Sequence, residues 1–216
     1  MPARLHSQAV APPGADNVIV LDEHRAVSAT TWESFRRGDR LAAAEVWRHE
    51  APWVRGLLFR LLGPRSSGDL DDLTQDVFLI LQGRLADLDL TQPMRGFLVG
   101  VAVNVARRKL RSAWRWSVVR RALPFSTPKA VLPTDPSAPR VIAELLQAME
   151  LLEPEERLAF SLRYLEQQTL DEVAASLDVS LATAKRRLRS ARLQLVARAA
   201  QFPALAAKLD GSSDED

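Results

Sequence analysis

The segment TLDEVAASLDVSLATAKRRLRSARLQLVAR, residues 169–198, constrains the fold more than any other part of the chain, because it carries two helix starts within a dozen residues. Thr169 and Glu172 form a T-x-x-E capping box, which satisfies unpaired backbone N–H groups at a helix start, and Leu170, Val173, Ala174 and Leu177 then share one face. The first helix is predicted over about 170–177. Asp178 and Val179 supply the turn, and Ser180 is a suitable N-cap for a second helix. Along that helix Leu181, Ala184, Leu188, Ala191, Leu195 and Ala199 recur at helical spacing as a buried stripe. At about 100° per residue, Ala182, Thr183, Arg186 and Ser190 fall opposite the stripe, with Lys185, Arg187 and Arg189 on its flanks.

The second helix holds six basic residues and no acidic one. A helix-turn-helix lays the start of its second helix in the DNA major groove. Ala182, Thr183, Arg186 and Arg189 are then placed to meet base edges, arginine being the side chain best matched to guanine. Lys185, Arg187 and Arg192 are placed to meet phosphates. If about four of these charges meet phosphates, log affinity should fall with log salt at a slope near −3.6. A solvated charged helix is the alternative, and the capping box, the short turn and the lack of acids weigh against it.

The net charge of the chain is only +2, so the distribution of charge is the informative quantity. Residues 95–121 contain eight Lys/Arg and no acid, whereas 66–92 contain six Asp and one Arg, so the signs are sorted into blocks. The absence of cysteine removes disulfides and thiolate metal sites, and accords with a reducing compartment. No apolar run is long enough for a membrane span, and the polar, proline-containing start does not read as a signal peptide, so a cytoplasmic protein is expected. Nine scattered glycines form no phosphate loop, and His6, His24 and His49 have neither metal nor triad spacing. Neither an enzyme, a cofactor nor a metal is expected.

Residues 1–28 read as a flexible leader in which the run Val18–Leu21 is a possible short strand. Helical periodicity begins at Trp32 and Phe35 and continues through Ala44, Trp47, Val54, Leu57, Leu58, Leu61 and Leu62, with an interruption at Pro52 and a stop at Gly63-Pro64. A third helix is expected from after Asp69 to about Leu85 and a fourth from about Met94 to Trp114. Residues 29–117 thus form an all-α domain. Residues 118–139 contain five prolines without a clean period, and read as a linker able to set two domains apart. The second small helical domain spans 140–202: Val141, Leu145, Met149 and Leu152 open it, and Glu153-Pro154-Glu155-Glu156 starts its next helix with proline in the first turn and acids at the positive dipole end. An acidic tail, 203–216, follows.

Three features of the first domain carry chemistry. On the third helix Leu70, Leu73, Val77, Ile80, Leu81 and Leu85 define the core stripe, which leaves Asp71, Asp72, Gln75, Asp76, Leu79 and Gln82 outward. An outward leucine among carboxylates and amides suits a basic protein partner, since nucleic-acid phosphates would be repelled; plain solubility is the alternative. On the fourth helix, Arg107, Arg108, Lys109 and Arg111 occupy all sides, so this end should project from its own core, and ARRKLRSAWRW interleaves the cations with Trp114 and Trp116. Cations plus indoles fit a nucleic-acid backbone with stacked or unpaired bases. The loop ADLDLTQP, residues 86–93, lies next to that helix and is placed to hold a flipped base.

In order and spacing these motifs resemble the two-domain bacterial RNA polymerase sigma factors of the extracytoplasmic-function group, from about Thr31 to Arg198. APWVRGLLFRLLG with DLDDLTQDVFLIL is similar to the opening of region 2, GFLVGVAVNVARRKLR to the promoter-melting helix, and residues 152–195 to region 4. The resemblance implies that Asp72, Gln75 and Asp76, with Leu79 beside them, dock on the clamp helices of the largest polymerase subunit. It implies that the loop as far as Arg95, together with Asn104, Arg107 and Arg108, engages the −10 element, and that Lys185, Arg186, Arg187 and Arg189 read the −35 element. Lys109 and Arg111 continue the basic surface. The partners implied are core RNA polymerase, promoter DNA and an anti-sigma factor, with no membrane. Two departures stand out: the melting helix opens with Phe97-Leu98-Val99-Gly100 where the family usually has Trp-Leu followed by Tyr-Arg, and Asp178 holds a turn position often filled by glycine. A sigma-like adaptor that sequesters an anti-sigma protein, and a ligand-sensing helix-turn-helix repressor, are the alternative functions.

Overall fold

The computed structural model describes residues 27–90, 92–122 and 140–206. Residues 1–26 of the predicted leader with its Val18–Leu21 strand, most of the linker and the acidic end of the tail lie outside the described residues. Among those described there are helices and no strand, and no helix is long and apolar enough to cross a membrane.

The N-terminal bundle comprises α1 (Ala29–Arg36), α2 (Arg40–Leu62), α3 (Leu70–Arg84) and α4 (Met94–Ala122). Ser28 and Asp39 cap α1 and α2 with their side chains. Pro52 sits inside α2 without ending it, so the expected interruption is instead one long helix that contributes Val46, Val54, Leu57, Leu58, Leu61 and Leu62 to the core. The break falls earlier, at Arg37–Asp39, where Gly38 takes φ +86°. On α3 the buried face is turned slightly from the predicted stripe: Phe78 and Thr74 are inside and Leu73 and Ile80 are only half-buried. Thr74 tolerates burial because its hydroxyl donates to the Leu70 carbonyl at 2.7 Å. Helix α4 runs on to Ala122, past the predicted domain boundary at 117.

The C-terminal bundle comprises α5 (Arg140–Met149), α6 (Pro154–Phe160), which widens into a π turn at Ser161–Leu165, α7 (Leu170–Leu177) and α8 (Leu181–Arg198). Pro154 occupies the first turn of α6 as its sequence suggests. Glu144 of α5 accepts the Ala204 and Leu205 N–H groups at 2.7 and 3.0 Å, so the chain beyond α8 folds back and buries Leu205. Burial by itself would raise the Glu144 carboxyl; these two N–H groups and Arg140 outweigh it and hold the group below its usual range.

The bundles are not held apart. Leu158, Ala159, Leu162, Val173, Ala174 and Leu177 join the same continuous apolar cluster as Leu57, Leu61 and Val105. Polar contacts ring this seam: Arg60 pairs with Glu166, Arg65 with Glu150 at 2.7 Å, and the Ser161 hydroxyl donates to the Arg60 carbonyl at 3.1 Å. Arg157 is buried between the bundles, and its Nε donates to the Leu61 carbonyl at 2.9 Å. Burial lowers Arg157 to about 10, opposed by the nearby Glu150 and reinforced by Arg65, so the guanidinium remains charged at neutral pH. Gly63 makes this approach possible. It ends α2 at φ +72° and ψ −179°, a conformation essentially confined to glycine, and a Cβ there would lie 2.3 Å from Arg157 Nη2.

Candidate nucleic-acid interface

The helix-turn-helix forms from the local signals in its sequence. The Thr169 hydroxyl accepts from the Glu172 N–H while the Glu172 carboxylate takes the Thr169 N–H at 2.7 Å, and these bonds hold Glu172 below the ordinary carboxylate range. Asp178 is left-handed at φ 53° and ψ 54°, the position where glycine was the expected residue. Its N–H reaches the Ala175 carbonyl and that of Val179 reaches the Ala174 carbonyl, which closes α7 in a Schellman-type turn. Aspartate is among the few residues that visit this region at modest cost. Ser180 then caps α8 by accepting the Thr183 N–H at 3.2 Å.

Helix α8 is buried along Ala184, Leu188, Ala191 and Leu195, as its periodicity requires, but Leu181 at the mouth of the turn is exposed. The side bearing Ser190 is not solvent-facing as the angular reading suggested. The Glu156 carboxylate takes the Ser190 hydroxyl at 2.5 Å and the Gln194 amide at 2.7 Å, so α6 covers that flank. Arg187 lies on the covered flank too, 3.0 Å from Glu155, and does not share the outer face with its basic neighbours. The exposed arc is Ala182, Lys185, Arg186, Arg189 and Arg192, with Thr183 half-buried at its edge. Next to it Arg163, Tyr164, Leu170, Leu193 and Val196 shape an open groove of about 480 Å³.

In the N-terminal bundle, Asp72, Gln75, Asp76 and Leu79 are all exposed on one side of α3, and Leu79 keeps 57% of its surface. Loop 85–93 begins with a single tight turn at Leu85–Asp87 and plugs Leu85 and Leu90 into the core; Thr91 lies outside the described residues. A cleft of about 330 Å³ opens between α3 and α4, lined by Ile80, Arg84, Phe97, Gly100, Val101 and Asn104. Gly100, where the family usually has arginine, leaves open space there. Asn104 is exposed and its side-chain oxygen accepts from Arg107 at 2.9 Å. Arg95 lies over the Trp53 ring at 5.1 Å.

The basic end of α4 does not project freely as the sequence reading expected: Arg107 and Arg111 meet the other bundle, and Lys109 pairs within its own. Arg107 donates to the Leu177 carbonyl at 3.0 Å and lies 3.2 Å from Glu155; Arg111 pairs with Glu155 at 2.7 Å, and Lys109 with Asp69 at 2.8 Å. Arg108 is exposed, as is Trp116, whereas Trp114 lines an interbundle cleft with Leu110 and Leu151. Glu155, Glu156 and Arg157 escaped the sequence reading, which assigned the acids to the helix dipole. No sequence signal singles them out: neither glutamate has a cation three or four residues away on its own helix, but the same is true of the exposed Asp72.

Two all-helical bundles, one carrying an exposed cationic second helix of a helix-turn-helix and the other a basic helix beside a cleft, define a DNA-binding protein of the transcription machinery. The family model for Sigma-70 region 2 matches residues 46–115 and that for Sigma-70, region 4 matches 142–195, together more than half of the chain. RNA polymerase sigma factor CarQ of Myxococcus xanthus is 28% identical over 155 residues, 72% of this chain and 87% of CarQ. Two solved structures share the fold. CnrH in complex with the cytosolic domain of CnrY aligns at TM-score 0.52 and 20% identity, over 79% of this chain and 96% of that one. Sigma factor RpoE in complex with anti-sigma factor NepR from Bartonella quintana aligns at 0.53 and 18%, over 70% and 92%. The chain belongs to the sigma-70 family, in its extracytoplasmic-function form, and acts as a sigma factor that directs core RNA polymerase to promoters.

Proposed function

We propose that the two bundles divide promoter recognition between them, with 29–117 serving core polymerase and the −10 element and 140–202 the −35 element. Asp72, Gln75, Asp76 and Leu79 dock on the clamp helices of the largest polymerase subunit, where their acidic, leucine-centred surface meets basic side chains. Arg95, Asn104, Arg107, Arg108, Lys109 and Arg111 serve the −10 strand, and the cleft at Phe97, Gly100 and Asn104 receives an unstacked base. Ala182, Thr183, Lys185, Arg186, Arg187, Arg189 and Arg192 serve the −35 duplex. An anti-sigma protein is a further partner, a reading supported by neighbours solved in such complexes. The chain works in the cytoplasm and catalyses no reaction of its own.

The observation that carries this reading is the exposed arc Lys185, Arg186, Arg189 and Arg192 on a capped, rigidly seated helix. Reconstitution with core polymerase, followed by mapping of transcript starts, tests it. Initiation should require the chain and should be lost when Arg186 and Arg189 are both changed to alanine. Unchanged starts in that double variant would refute the assignment.

A further inference from the structure

Cations from both bundles converge on Glu155: Arg107 and Arg111 reach its Oε1, and Arg187 reaches its Oε2. Three guanidiniums face one negative charge, so the cluster stays positive. Arg107 Nε and Arg187 Nη1 are buried without a hydrogen bond, because both ion pairs are close but out of line. Two carboxylate oxygens cannot satisfy three planar forks. Successive backbone phosphates would give each guanidinium its own pair of acceptor oxygens, where here three share one carboxylate. The cluster sits where the basic end of α4 meets the inner flank of the recognition helix, so in this closed arrangement neither Arg107 nor Arg187 is presented outward.

We propose that Glu155 is an internal stand-in for a DNA phosphate, which occupies Arg107, Arg111 and Arg187 while the bundles are closed and yields them to the promoter backbone when the bundles part. This rests on the assignment of those arginines to DNA. Closure is then self-inhibition by charge. The apolar seam of Leu158, Leu162 and Leu177 brings the bundles together, and Glu155 makes that closure compete with DNA. Closed chain and promoter draw on the same cations, so each weakens the other.

The test uses the full chain without polymerase. As it has no cysteine, a dye pair can be placed at Leu41→Cys and Ala200→Cys, both exposed and on different bundles. Glu155→Gln should lengthen the mean dye separation at low salt and tighten binding to a duplex promoter fragment roughly tenfold, the size expected for one charge-assisted contact. Arg111→Gln should lengthen the separation as well, which guards against a folding defect peculiar to the first variant, and circular dichroism should show native helix content in both. Unchanged separation in both variants would overturn the proposal, as would a longer separation with unchanged DNA affinity. If the wild-type holoenzyme also fails to bind any promoter, the assignment of the arginines to DNA fails; a holoenzyme that binds while Glu155→Gln changes nothing in the isolated chain sinks the stand-in alone.

Discussion

Replacing Gly63 by alanine should strain the seam between the two bundles and destabilise the chain. Two costs add. The backbone at φ +72° and ψ −179° is nearly closed to residues with a Cβ, a strain of about 1–3 kcal/mol. The new methyl would also stand 2.3 Å from Arg157 Nη2, so the buried guanidinium must move and give up its bond to the Leu61 carbonyl, worth about 1.5–3 kcal/mol for a charged donor. The far end of an arginine can yield part of the way, so a total of about 3 kcal/mol is expected, or roughly 6–12 °C in Tm for a chain of this size. Urea denaturation followed by circular dichroism measures it. Gly68, with nothing near its virtual Cβ, provides a control whose alanine variant should stay within about 0.5 kcal/mol of wild type. In an Arg157→Met background the steric share vanishes, and Gly63→Ala should cost only the backbone share. Equal costs in the two backgrounds would refute the role given to the guanidinium, and a Gly63→Ala chain as stable as wild type would refute both terms.

Further expectations follow from the same geometry. Leu158→Ala removes a fully buried side chain from the apolar cluster shared by both bundles and should cost about 2–5 kcal/mol by denaturant titration. Thr169→Ala deletes one half of the capping box and should cost about 1 kcal/mol. The Glu172 carboxyl is held below its unfolded value, so its contribution is present above about pH 4.5 and is lost as pH falls through its lower folded value. Wild type and Glu172→Gln should therefore converge in Tm on acidification, and parallel curves would count against the cap. Arg192→Ala should weaken holoenzyme binding to all promoters alike and reduce the salt slope by about 0.9, as expected for a phosphate contact; a change in promoter preference would assign Arg192 to a base.

Helix placement was legible because its causes are local. The capping box at Thr169, the proline in the first turn of α6, the Gly63 stop and the outward set Asp72, Gln75, Asp76 and Leu79 depend on neighbours within a turn or two, and the structure shows each of them. The docking of the bundles depends on residues about 100 positions apart, such as Arg157 with Leu61 and Arg60 with Glu166, and no periodicity encodes it. For the same reason Arg187 and Ser190 appeared to face solvent: counting around α8 locates its deepest stripe but not the second flank that α6 covers. Nothing local in the sequence marks Arg157 for burial, and the glycine opposite it leaves room for a buried cation.

The grip of Glu156 on Ser190 and Gln194 bears on how the DNA sequence is chosen. Two bonds from a single carboxylate help set the roll of α8 about its own axis, and in the proposed −35 complex that roll would decide which of Arg186 and Arg189 points deeper into a groove. Loss of the carboxylate would let the helix turn by some degrees without altering any side chain on its outer arc. Under the proposed −35 assignment, promoter preference would therefore be steered in part by a glutamate on the helix behind the reader.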